Sequence, residues 1–186
     1  MTGSLTLLRA VLRGAVGFSI VSVAAFSIWA FGGKWFKSHG GEPAMDATIA
    51  TAFVALSGLL LHPLAGGLAR FYKVFVPAFL AYAAVWCAAW FALKFGWGEW
   101  LGSLAGSAAF ALVSAALFRN FRPLPLALLA LFVAHSAGYF LGGQLYYGLK
   151  SQHHTLAMLG WGAAYGLGFG AGIGAAFFAL QKKEAT

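Results

Sequence analysis

Val74-Phe-Val-Pro-Ala-Phe-Leu-Ala-Tyr-Ala-Ala-Val-Trp-Cys-Ala-Ala-Trp-Phe-Ala-Leu93 runs between Lys73 and Lys94 without a single charged residue. A helix needs about 20 such residues, at 1.5 Å each, to cross a hydrocarbon layer of about 30 Å. A helix at the surface of a soluble domain has a polar face, and this segment has none to offer. It reads as a membrane span. The rest of the chain agrees with it. Of 186 residues, 61% are apolar and only 9% charged, and the mean hydropathy is +0.82, whereas a soluble domain carries about a quarter charged residues. Twelve basic and four acidic side chains cannot cover a soluble globule of this size. Disorder is excluded too, since 17% aromatic content with little charge is the reverse of a disordered composition. Cys87 is the single cysteine, which excludes an internal disulfide and any multi-cysteine zinc or iron–sulfur site.

Working outward from that segment gives six spans, at Gly14–Phe31, Ala47–Gly66, Val74–Leu93, Trp100–Phe118, Leu124–Gly143 and Thr155–Leu180. The fold class expected is an all-α membrane protein, a six-transmembrane-helix bundle forming one polytopic domain over residues 1–186. The fourth and sixth spans are built of Ala, Gly and Ser and insert less favourably than the others. The connections are short, and the longest, Gly32–Asp46, reads as an irregular outer loop around His39-Gly-Gly-Glu-Pro43. The charges set the orientation. With the N-terminus in the cytoplasm, the inner segments hold Arg9, Arg13, Arg70, Lys73, Arg119, Arg122, Lys182 and Lys183. The outer ones hold Lys34, Lys37, Lys94 and Lys150 with three of the four acids, Glu42, Asp46 and Glu99. The positive-inside bias then puts both termini in the cytoplasm, in a cell membrane and in the inner membrane if the source is bacterial. The first span reads as an uncleaved signal anchor, and no lipidation motif marks either end. The +8 charge is explained by topology and an anionic inner leaflet, and no basic cluster calls for nucleic acid.

Every Lys, Arg, Asp and Glu falls at or beyond a span end, which excludes a buried carboxylate relay and a voltage sensor. His62 and His135 are the two histidines within spans. Their depths differ by about 9 Å at 1.5 Å per residue, so they are not expected to share a haem, and no cofactor is expected. Each imidazole is expected to join helices by bonding a Ser, a Tyr or a backbone carbonyl. His39, Glu42, Asp46, Glu99, His153 and His154 lie in the outer segments without the spacing of a metal site, and no metal is expected.

All seven tryptophans fall in the outer half: Trp29, Trp35, Trp86, Trp90, Trp97, Trp100 and Trp161. An interfacial belt accounts for some. Trp86 and Trp90, one turn apart, lie below the interface and are candidates for a pocket stacking an apolar or cationic small molecule, with Tyr82, His135, Tyr139 and Trp161 as further ligand-binding candidates. The last span carries Gly162, Gly166, Gly170 and Gly174 at every fourth position, with Gly160, Ala164, Gly168, Gly172 and Ala176 as a second stripe. Both suit close backbone approach, either within one bundle or between copies as a homo-oligomer or channel. In the fourth span, Gly102/Gly106 and Ser103/Ser107/Ala111/Ala115 offer a partner face for it.

Two family resemblances bear on function. Ala134-His135-x-x-Gly138-x-x-x-Gly142 is similar to the histidine helix of rhomboid intramembrane proteases, and Ala55-Leu56-Ser57-Gly58 resembles their serine motif with Ala55 in place of a glycine. That resemblance implies a hydrolase with Ser57 as nucleophile and His135 as its base. The two spans here are separated by two others and antiparallel, whereas in that family one span intervenes and they are parallel. In format, the chain looks like the substrate-binding subunits of energy-coupling-factor vitamin transporters: six short spans, no buried charge, an outer aromatic cluster, and Leu59–Ala69 (LLLHPLAGGLA) of similar flavour. The sequence is therefore compatible with three functions. The first is a non-enzymatic subunit that binds or passes a small solute. The second is an intramembrane hydrolase, and the third an accessory subunit docking other membrane subunits. Each His is followed by a Gly pair, Gly66-Gly67 and Gly142-Gly143, at unequal spacings that suggest only a faint inverted repeat.

Overall fold

The computed structural model describes residues 5–93 and 96–181. Within them are six helices, α1 (Leu7–Ser38), α2 (Gly41–Leu61), α3 (Leu68–Leu93), α4 (Trp97–Phe118), α5 (Leu124–Leu149) and α6 (His154–Gln181), with one 3-10 turn, His62–Ala65, after α2. All six are long and apolar enough to cross a membrane. Their outward faces are rich in exposed Leu, Val and Phe, including Val16, Ile20, Leu59, Leu80, Leu126 and Val133. Such a surface is stable against lipid and not against water. The chain is thus a multi-pass, all-helical membrane protein. Lys94, Lys182, Lys183 and Glu184, part of the charge pattern above, lie outside the described residues.

Consecutive helices run antiparallel. Neighbours in space follow the order α2, α1, α6, α5, α4, α3, and the ring closes where α3 meets the 3-10 turn. The start of α1 at Leu7 and the end of α6 at Gln181 therefore lie at the same end of the bundle. The interior is filled by phenylalanine: Phe18, Phe71, Phe75, Phe110, Phe169 and Phe177 are fully buried and meet ring to ring, as in Phe71–Phe75 at 4.9 Å and Phe18–Phe169 at 5.4 Å.

The expected irregular loop Gly32–Asp46 is corrected. α1 continues to Ser38, α2 begins at Gly41, and the break is confined to His39 and Gly40, with φ +94 at Gly40 and +68 at Gly41. The lysines and acids of this segment mark where the hydrocarbon ends, not where the helix ends. A helix keeps its own backbone hydrogen bonds as it leaves the membrane. The same reason carries α4 back to Trp97 and α5 on to Leu149. The second span ends earlier as an α-helix than expected, at Leu61: Pro63 ends it, and Gly66 (φ +80) and Gly67 (φ +149) make the turn into α3.

α6 is clasped from two sides by its glycines. A Cβ at Gly166 would stand 2.5 Å from Ser19 Cα, and one at Gly172 would stand 3.0 Å from Leu131 Cα. Gly170 and Gly174 meet the carbonyls of Gly14 and Ala10, and Gly168 meets Gly138. One stripe thus lies against α1 and the other against α5. The Gly162–Gly174 face is occupied within the chain, so a second copy would have to use another surface. The small residues of α4 turn to its other neighbours: Gly102 lies against Trp86 and Gly106 against Tyr82 of α3, and Ser103 bonds His135 and Ser136 of α5.

Candidate functional site: an aromatic cleft beside a buried histidine

α2 and α3 touch near the 3-10 turn, where the Tyr72 hydroxyl donates to the Ala55 carbonyl at 2.8 Å and its ring covers Gly58. They meet again through Phe53 and Phe79, at 5.8 Å between rings. Beyond that point, toward the tryptophan-rich end, a cleft of about 360 Å³ lies between them. α2 contributes Ile49 and Phe53, and α3 contributes Phe79, Tyr82, Ala83, Trp86 and Cys87. Phe26 from α1, Tyr139 from α5 and Trp161 and Tyr165 from α6 complete it. Cys87 is exposed at the rim. Pro77 removes one rung of the α3 hydrogen-bond ladder close to where α3 leaves α2.

Glycines seat the aromatic walls. Trp86 lies on Gly102, Tyr82 on Gly106, Trp161 on Gly142 and Phe26 on Gly162. A side chain at any of these positions would push its ring into the cleft or force the helices apart. Gly142 belongs to the rhomboid-like pattern, and here it makes room for Trp161.

Behind the cleft, at mid-helix, His135 is fully buried. Its Nε2 lies 2.6 Å from the Tyr82 hydroxyl and its Nδ1 lies 2.8 Å from Ser103 Oγ. Ser103 Oγ is 2.7 Å from Ser136 Oγ, and the Tyr82 and Tyr165 hydroxyls are 3.4 Å apart. A neutral imidazole offers one donor and one acceptor, so the chain Tyr165–Tyr82–His135–Ser103–Ser136 is satisfied with its protons pointing either way. It ties α3, α4, α5 and α6 together at the depth where an unpaired polar group costs most. His62 sits apart at the end of α2, with Nδ1 3.1 Å from the Gly58 carbonyl. Its bonds, to the Gly58 and Leu59 carbonyls, stay within α2, so among the described residues His62, unlike His135, does not join helices as expected.

Of the six ligand-binding candidates, Tyr82, Trp86, Tyr139 and Trp161 are brought together around the cleft. Trp90 stacks outside it on Trp86, at 6.4 Å and 11°, and His135 lies behind Tyr82. Ser57 and His135 are not brought together: α2 and α5 share no contact, and both ring nitrogens of His135 are taken by Tyr82 and Ser103. Ser57 is buried and its hydroxyl has no partner among the described residues. Phe26, Ile49, Phe53, Phe79 and Tyr165 escaped the sequence reading. The one signal pointing to Phe26 was the glycine opposite its ring, Gly162, and it becomes readable only when the helix neighbours are known. No family model, curated protein or solved structure matches this chain.

Proposed function

We propose that this chain is a non-enzymatic membrane subunit that holds a small apolar molecule in the cleft between α2 and α3, as a binding or transport component with its termini in the cytoplasm. The observation that carries this is the cleft itself. Its volume falls in the range of about 300–1,000 Å³ typical of small-molecule sites, and its walls are aromatic, as such sites usually are. It opens beside an exposed Cys87 within a helix that spans the bilayer, so a membrane-soluble molecule can reach it from the side.

The test is native mass spectrometry on protein extracted gently from its own membrane. The expected result is an added mass of a few hundred daltons on the wild type, lost in Trp86→Ala. Ala83→Phe, which fills the cleft without removing a wall, should lose it as well. A wild type without added mass, or one whose added mass survives Ala83→Phe, overturns the proposal.

A further inference from the structure

A second cavity, of about 550 Å³, lies at the tryptophan-rich end between the end of α1 and the starts of α2 and α6. Its position relative to the cleft is fixed by register. On α1 the cleft is lined by Phe26 and the second cavity by Trp29, on α2 by Ile49 and Met45, and on α6 by Trp161 and Met158. Each pair is about one helical turn apart, and each step runs toward the tryptophan-rich end. The two cavities are therefore stacked on the same three helices. Between them stands an aromatic cluster, with Phe26 6.0 Å from both Trp29 and Trp161, and Trp29 6.4 Å from Trp161.

The two chambers differ in chemistry. The lower one is walled by aromatic and aliphatic groups. The upper one is lined in addition by Lys34, Lys37, Glu42 and His154, at the level where the helices leave the hydrocarbon. Two lysines and one glutamate line this chamber, a formal excess of one positive charge. Among the described residues, neither lysine forms an ion pair within 4 Å. A basic recess between membrane helices, directly above an apolar one, matches a molecule whose charge and hydrocarbon are joined end to end.

We infer that the ligand of the cleft is a single-chain amphiphile, its singly negative head held by Lys34 and Lys37 and its apolar tail lying past the Phe26–Trp29–Trp161 cluster in the cleft. This rests on the proposed function above and adds the head site to it. The carboxylate is the simplest such head. Each ammonium supplies up to three donors, and Glu42 disfavours a doubly charged head by like-charge repulsion. The geometry also fixes polarity: the head stays at the tryptophan-rich end and the tail points toward mid-bilayer.

The experiment is photo-crosslinking in phosphatidylcholine nanodiscs with dodecanoate bearing a diazirine at its chain end, and with the corresponding dodecanol. Peptide mapping should find the dodecanoate adducts on Phe53, Phe79 or Tyr82, with cleft labelling at least tenfold above that of the alcohol. The double variant Lys34→Gln/Lys37→Gln changes two exposed side chains and leaves the fold alone. It should bring dodecanoate labelling down to the level of the alcohol, while labelling by the alcohol stays unchanged. Equal cleft labelling by both probes in the wild type would overturn the head site and leave the apolar cleft standing. Adducts confined to lipid-facing residues such as Leu59 and Leu80, with none in the cleft, would overturn both. Dodecanoate labelling that survives in the double variant would also overturn the assignment of the lysines.

Discussion

The two ends of the bundle are built on opposite principles. At the end holding the 3-10 turn, polar groups close the structure. Gln181 Nε2 donates to the carbonyls of Leu64 at 2.6 Å and Phe177 at 2.9 Å, and Asn120 Nδ2 donates to Leu180 at 3.0 Å. The Arg70 guanidinium lies 5.4 Å from the Phe118 ring centre. At the tryptophan-rich end, no comparable clamp joins α2 to α3 among the described residues, and wide rings on glycine seats leave a cleft in place of a seam. The difference teaches where each kind of side chain is useful. Short polar groups bond only what is already close, so they fix a closed end. Aromatic rings hold a wall upright without a partner opposite, so they can line an open one.

That comparison predicts a graded set of responses. The largest should come from the α1–α6 seam, which both ends depend on. Leucine at Gly170 would set its Cβ 2.6 Å from Phe18 Cβ and onto the Gly14 carbonyl, so two backbones must part. A loss of about 3 kcal/mol is expected, at or above the upper end of ordinary overpacking. In a thermal melt in detergent this lowers the midpoint by about 6–12 °C. Gly160→Leu is the control, because nothing lies within 4 Å of a Cβ there, and it should move the midpoint by no more than about 0.5 kcal/mol warrants. Equal effects at the two glycines would break the account of α6 packing.

His135→Ala should cost somewhat less, about 2 kcal/mol. It removes two hydrogen bonds, each worth up to about 1.7 kcal/mol inside a membrane, and leaves a small cavity. Tyr82 and Ser103 soften the loss by turning to Tyr165 and Ser136. A melt unchanged from the wild type would show that the buried chain does not brace the four helices.

Gln181→Ala should have the smallest of the three destabilising effects, about 1 kcal/mol for bonds to backbone carbonyls at a half-buried site. Any retained ligand should be held as in the wild type, since the substitution touches only the closed end. Loss of ligand in this variant would show that the two ends are coupled.

The segments most legible from sequence were those decided by solvent alone. Val74–Leu93 has to be a span, because nothing else suits an uncharged run of that length. The pairing of His135 with a Ser or a Tyr in neighbouring helices followed from the cost of leaving an imidazole unpaired in hydrocarbon. Residues 32–46 are not legible as helix from sequence, because their charges mark the end of the apolar stretch and not the end of the helix. Phe53 and Tyr165 escaped notice because nothing local sets them apart from the other aromatics of their spans. The Ser57–His135 pair was suggested by motif letters alone and undone by helix order.

By itself, the sequence determined that this chain crosses a membrane six times as helices, since transfer free energy and backbone satisfaction act on each span separately. Only the tertiary structure decided which span lies beside which. That choice turns on whether one helix's glycine meets another's carbonyl or ring, a property of pairs of segments far apart in the chain. The cleft exists because α2 lies against α1 and turns away from α3, so its walls come from five helices that no local pattern could have joined.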